Sequence, residues 1–352
     1  MMDWLERLNA NPIPWLLEED PTLPSVRYLA LRDLLQLPPS DPELVKAQAD
    51  VMSSGPVPTI LSQQADEGYW EKPGPGYASK YTGTVWQVIM LAQLGADGRD
   101  PRMRAACEYV LTHSCASCGG FSMTGTAGGL LHCLQGNLCA SLLDLGYGND
   151  HRLQQALDWL ARSITGEGIA PSDDDQAPVR YLRSANCAPG FCCSGNNRIP
   201  CAWGAVKAML ALGKAPINGR TPAMQAAIHQ GIDFLLSRDP ATADYPSGFT
   251  DKPSGSWFKL GMPIGYVTDV LQNLEALISL GVSADPHLHR ALTWLLDKQD
   301  SQGRWQMEYS YNGKTWADIE EKGKPSKWVT LRALKVLQRA DEATHWPEPP
   351  AG

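Results

Sequence analysis

The sequence predicts an all-α fold: a closed ring of six helix pairs around a central cavity. Three observations carry this. Six apolar, small-residue-rich segments begin 53 to 65 residues apart. An amphipathic helical segment follows each of the first five after a short loop. No stretch alternates at period two for long enough to build a sheet.

Taken in order, the inner segments begin at Ser25, Thr82, Gln135, Pro200, Gly265 and Lys327. Each is apolar nearly all round, the pattern of a helix enclosed on every side. Four end at a glycine after a leucine, namely Gly95, Gly146, Gly213 and Gly281. A glycine there serves as the left-handed residue that ends a helix.

The outer helices open on Asp41-Pro42, Asp100-Pro101, Asp150, Thr221-Pro222 and Asp285-Pro286. An acid or hydroxyl accepts from the free N–H groups of a first turn, and proline at the first position lacks the N–H that would go unpaired. Apolar stripes keep helical spacing, as in Leu153, Ala156, Leu157 and Leu160, or Leu288, Ala291, Leu292 and Leu295. The sixth outer element must come from the N-terminal segment, Asp3 to Leu17, which closes the ring. The reading is a single domain over residues 1–340 and a Pro-rich tail over 341–352.

The chain has 352 residues, 43% of them hydrophobic and 19% charged, enough to bury a large core. With 30 basic and 38 acidic residues the net charge is −8. That balance, without a dense Lys/Arg cluster, argues against a nucleic-acid surface. No apolar run approaches the roughly 18 residues of a membrane span. The N-terminus, MMDWLERLNANP, has no apolar signal core, so the expected location is cytoplasmic.

Two outer helices end in a common signature. Gln299, Gly303 and Trp305 share their spacing with Gln64, Gly68 and Trp70. Looser copies follow Trp159-Leu160, with Gly168, and Phe234-Leu235, with Tyr245. Glutamine bonds backbone groups at the helix end, glycine makes the turn, and the aromatic covers it. This signature resembles the QW repeat of the squalene-cyclase and protein-prenyltransferase superfamily, over nearly the whole chain. Segments such as HCLQGNLCASLLDLGY and GKPSKWVTLRALKVL are similar to small bacterial squalene-cyclase-like proteins. The resemblance implies an (α/α)6 toroid with a central cavity and a transferase, lyase or isomerase acting on an apolar, isoprenoid-like small molecule.

All nine cysteines lie between residues 107 and 201. In a reducing compartment they read as thiols or metal ligands, not disulfides. Cys133 and Cys201 start adjacent inner helices, and helix N-termini favour thiolates. They suggest a zinc site with His132 and one of Cys187, Cys192 or Cys193. The Cys115 and Cys118 pair suggests a further metal position, while Cys107 and Cys139 read as small buried hydrophobes. Protein prenyltransferases hold catalytic zinc with Asp, Cys and His. Cys201-Ala202-Trp203 resembles their Cys-bearing helix start, but Ile199 stands where they carry Asp.

Asp269, in the first turn of the fifth inner segment, is the candidate general acid, with His132 and Tyr266 as further catalytic candidates. The acidic run Asp173 to Asp175 lacks the DxDD spacing of squalene-type cyclases. Trp86, Trp203 and Trp328, early in three inner helices, would form an aromatic wall for an apolar substrate or a carbocation. Three functions remain open: a zinc-thiolate enzyme, a metal-free cyclase, isomerase or dehydratase using acid or thiol groups, and a binding or scaffold protein with structural zinc.

Overall fold

A computed structural model describes residues 4–168, 186–283 and 285–344. The chain is predominantly helical. Its helices, in chain order, are α1 (Ile13–Leu16), α2 (Pro24–Asp33), α3 (Pro42–Ser53), α4 (Pro56–Leu61), α5 (Thr84–Gln93), α6 (Pro101–His113), α7 (His132–Asp144) and α8 (His151–Thr165). There follow α9 (Ala202–Lys214), α10 (Pro222–Leu236), α11 (Val270–Ser279), α12 (Pro286–Leu296) and α13 (Lys327–Thr344). Two short antiparallel strands, β1 (Cys192–Cys193) and β2 (Ile199–Pro200), pair between α8 and α9.

The helix starts follow local chemistry. Asp41, Asp100, Asp150, Thr221 and Asp285 each cap an outer helix, the side chain accepting from a first-turn N–H. At the other ends, Gly95, Gly146 and Gly281 follow α5, α7 and α11 with positive φ, as a left-handed terminator requires. Gly213 does not: α9 continues through it to Lys214. The final helix likewise runs past residue 340, to Thr344.

Packing arranges the helices in chain order. The enclosed helix α5 packs on α7, α7 on α9, α9 on α11 and α11 on α13, and α13 returns to α2. Outer helices lie against them, α6 on α5, α8 on α7, α10 on α9 and α12 on α11. The N-terminal α1 meets both α2 and α13. One apolar core extends from Leu8 to Ala340. Helices α7 and α9 approach closely where Gly136 lies against the backbone of Lys207; a Cβ there would stand 2.3 Å from the Lys207 carbonyl carbon.

The aromatic signature residues link neighbouring pairs. Trp70 donates its indole N–H to the Ile60 oxygen at 2.9 Å, and its own backbone N–H goes to Thr84 Oγ1 at 3.1 Å. Trp305 repeats this, with Nε1 to the Leu295 oxygen at 2.7 Å and N to Thr330 Oγ1 at 3.0 Å. Tyr245 does the same by its hydroxyl, to the Leu235 oxygen at 2.8 Å. In each case the donor seals the end of an outer helix ten residues earlier. The region after Gly168, where the copy following Trp159 would continue, lies outside the described residues, as do Asp173 to Asp175.

Candidate functional site

The enclosed helices surround a cavity of about 950 Å³. Its mouth lies at the C-terminal ends of these helices, among Gly95, Asp97, Arg99, Asp144, Gly213, Lys214, Arg339 and Glu342. The sequence places functional groups at the opposite, N-terminal end. Large side chains close that end. Tyr77, Tyr81, Trp86, Tyr266 and Tyr311 pack with ring centroids 4.3 to 6.5 Å apart, and a void of about 20 Å³ lies beside Tyr81, Trp86 and Tyr311. Aromatic rings bury large areas in such offset contacts.

Of the expected substrate wall, Trp86 and Trp203 belong to this plug, 6.5 and 6.1 Å from Tyr266. Trp328 instead lines the cavity from α13. The three tryptophans therefore do not form one wall. Tyr266, an expected catalytic group, is stacked against Tyr81 and under the Lys80 ammonium, 4.7 Å from its ring.

Cys133, Cys193 and Cys201 share one neighbourhood: Cys201 and Cys193 both raise the Cys133 thiol, and Cys193 raises that of Cys201. Burial is the larger cause and pushes Cys133 up to about 12 and Cys201 up to about 11. His132 turns away toward Phe191, with Nε2 3.3 Å from Ser163 Oγ. Full burial pushes its pKa down to about 3, so the ring is neutral at pH 7. Cys187 also turns to Ser163 Oγ, at 3.9 Å. Cys192 and Cys193 are successive strand residues, and successive side chains leave a strand on opposite faces. Cys115 lies in the turn closed by its bridge to Phe121, with Cys118 in the same turn. Among the described residues, no group of three or more His, Cys, Asp or Glu side chains comes together in a way that could hold a metal ion. The expected zinc set of His132, Cys133, Cys201 and Cys187, Cys192 or Cys193 is therefore not gathered, nor is the second position at Cys115 and Cys118.

Asp269 has a different role from the free acid expected. It caps α11, accepting from the Gln272 N–H at 2.7 Å, and faces Arg332 at 3.2 Å. Arg332 is held on its other edge by Glu275, with Nε to Oε1 and Nη2 to Oε2 both at 2.9 Å. It also donates to the Gly261 oxygen at 2.8 Å. Every guanidinium edge is thus occupied. The exposures sort the three: side chains of Asp269 and Arg332 are 3% and 9% exposed, but Glu275 is 24% exposed and lines the cavity.

Lys207 completes the inner end. It is fully buried, with Nζ donating to the Val267 oxygen at 3.1 Å and to Gln272 Oε1. Burial outweighs the attraction of Asp269 and pushes its pKa down to about 7. Apolar walls rise from here, among them Leu29, Leu210, Met262, Ile264, Ile278 and Leu331. Glu275, Lys207 and Gln272 were not among the sequence candidates. Their signal is a polar residue inside an otherwise apolar enclosed helix, as Lys207 is within AWGAVKAMLALG. Such a residue is costly unless partnered, and a partnered one marks the cavity.

No protein-family model and no curated protein sequence matches the chain. Among solved structures it is similar to type II terpene cyclase MstE from Scytonema. A variant of that enzyme in complex with geranylgeranyl dihydroxybenzoate, its substrate, shares 14% identity at a TM-score of 0.33, covering 85% of this chain and 98% of that chain. The apo enzyme gives 13% and 0.30, covering 85% and 99%. At these values the likeness speaks to neither site nor activity.

Proposed function

We propose that the chain closes as an (α/α)6 toroid of the squalene-cyclase-like kind and acts as a metal-free enzyme on an apolar, isoprenoid-sized molecule. The reaction class is cyclase, isomerase or dehydratase, run by proton transfer. One observation carries this: a cavity of about 950 Å³, walled by apolar side chains such as Leu210, Ile264, Ile278 and Leu331 together with polar and charged ones, contains the ionic group of Glu275 and Arg332, backed by Asp269 and beside Lys207. Small-molecule sites are concave, mostly apolar and furnished with a few placed polar groups. Closure as a ring is supported by the return of α13 onto α2 and by the seat of α1 against α13.

Each residue has a role that follows from its position. Glu275 reaches the cavity and moves the proton. Arg332 fixes the carboxylate plane by its paired N–H groups, and Asp269 holds Arg332 and the start of α11. Lys207, at an ordinary pH near its shifted pKa, adjusts the field at the inner end.

Incubation of the purified protein with a panel of isoprenoid alcohols, isoprenoid diphosphates and prenylated arenes, followed by mass-spectrometric product analysis, tests this. Turnover that disappears in Glu275→Gln, with ligand binding retained, is the expected result. Tight binding of the panel without any turnover would transfer the reading to a binding protein. No binding at all would end it.

A further inference from the structure

The inner end of the cavity carries two polar groups whose hydrogen-bonding capacity the protein leaves unused. The first is the indole N–H of Trp328. This side chain is 2% exposed, lines the cavity, and its Nε1 has no hydrogen-bond partner. Buried indole N–H groups ordinarily find one. The second is the Glu275 carboxylate, which accepts one Arg332 N–H on each oxygen and keeps further lone pairs on its cavity side. Both residues line the same cavity. Trp328 and Arg332 stand four residues apart on one face of α13, and Glu275 is bonded to Arg332.

We propose that this end of the cavity is a hydroxyl-recognition subsite, in which Trp328 donates to the oxygen of an apolar alcohol and Glu275 accepts the alcohol's proton in a hydrogen bond. The inference rests on the proposed apolar-substrate cavity and names the substrate's polar end. The chemistry singles out a hydroxyl. It both accepts and donates through one atom, as the pair demands. A carbonyl or ether oxygen satisfies Trp328 but offers nothing to Glu275. An ammonium offers protons to Glu275 but cannot accept from the indole. A carboxylate would face the charges of Glu275 and Asp269, and the Arg332 guanidinium is already occupied.

The shape agrees. Trp328, Leu331, Arg332, Lys335, Val336, Arg339 and Glu342 recur at helical spacing along α13 and all line the cavity. From Trp328 to Glu342 the helix rises about 21 Å. An extended apolar chain therefore fits with its hydroxyl at Trp328 and its tail toward the mouth.

The test compares equilibrium binding of four matched C15 isoprenoid probes to the full chain: the alcohol, its methyl ether, the hydrocarbon and the acid. The alcohol is expected to bind about tenfold tighter than the ether and still more tightly than the hydrocarbon. Trp328→Phe, which keeps the ring and removes the N–H, should weaken the alcohol and the ether by about fivefold to tenfold and leave the hydrocarbon unchanged. Hydrocarbon binding within twofold of the alcohol, or an acid tighter than the alcohol, would overturn the subsite while leaving the apolar cavity standing. Failure of all four to bind would overturn both. The ether comparison reads the Glu275 contact without mutating it, so the outcome does not depend on a variant that misfolds.

Discussion

Lys207 Nζ donates to the main-chain oxygen of Val267 at 3.1 Å, tying α9 to the loop that enters α11. The amine is fully buried, and burial pushes its pKa down to about 7 against the pull of Asp269. An unfolded lysine keeps its proton to about pH 10.4. Between these values the unfolded chain binds the proton that the folded chain has released, so this group's contribution to stability rises with pH. Below pH 7 both states are charged and the burial cost stands in full. Wild type is therefore expected to gain on the order of 2 kcal/mol relative to Lys207→Met between pH 6.5 and pH 9. Urea unfolding of both proteins at the two pH values reads this difference; a gap independent of pH would show that the amine does not titrate in this range.

The contact between α2 and α13 offers a second expectation. Asp33 at the end of α2 accepts from Lys335 of α13 and is paired with Arg32. Burial alone would raise the Asp33 carboxyl, but Lys335 and Arg32 outweigh it and hold the group well below the usual carboxylate range. Its stabilisation is present above the unfolded value near pH 3.9 and is lost as pH falls through the folded one. Asp33→Asn should cost about 1–3 kcal/mol at pH 7, since it strands the Lys335 charge, and the difference from wild type should narrow below pH 4. Thermal melts across pH 3 to 7 measure it, and a constant difference would place the cost in packing instead.

How far the residues alone led depends on whether the signal was local. Helix caps are local, so Asp100 and Asp285 read correctly from one acid and the proline after it. The end-sealing aromatics are nearly local, because Trp70 and Trp305 bond ten residues back. Which end of the cavity opens is not local. Helix N-termini attract anions and thiolates, and that reasoning put the site beside Cys133 and Cys201. Yet Tyr81 and Trp86 come from one stretch and Tyr311 from a distant one, and only their packing fills that end. The same limit governs the thiols. Spacing brings Cys133 and Cys201 to neighbouring helices, while the aim of His132 toward Phe191 is decided by a residue nearly sixty positions away. Gly213 shows the converse, a sound terminator signal overridden because α9 goes on to Lys214, whose ammonium pairs with Asp144 at 2.6 Å.

The end-sealing contact gives a third expectation. Trp305 is fully buried, and its indole N–H is the partner of the Leu295 oxygen at the end of α12. Trp305→Phe removes that bond, leaving the carbonyl only the Lys298 N–H at 3.2 Å, and opens a void where the larger ring stood. A loss of about 2–4 kcal/mol is expected. Trp294, half-exposed on the same helix and packed under Lys298 at 5.0 Å, is the control. Trp294→Phe should cost no more than about 1 kcal/mol. Equal losses in the two variants, by chemical unfolding, would remove the sealing role.

The seam between α7 and α9 gives the last. Gly136 is a helical glycine, so its use is not conformational freedom, and an alanine there would ordinarily help the helix by about 1 kcal/mol. Here the added Cβ would stand 2.3 Å from the Lys207 carbonyl carbon and 2.4 Å from its oxygen, both backbone atoms that no rotamer change can move. The helices must part. Gly136→Ala is therefore expected to destabilise by about 1–3 kcal/mol despite its better propensity. Gly128→Ala, whose Cβ would meet nothing within 4 Å, should stay within about 0.5 kcal/mol of wild type. The seam also sets the inner end of the cavity, because Gly136, Asn137 and Lys207 all line it. Parting the helices shifts Lys207 away from Val267 and lets water in. Gly136→Ala should thus lose affinity for an apolar probe under conditions where the variant is still fully folded, whereas Gly128→Ala should not. Unchanged binding in a destabilised Gly136→Ala protein would separate the seam from the cavity and limit it to a packing role.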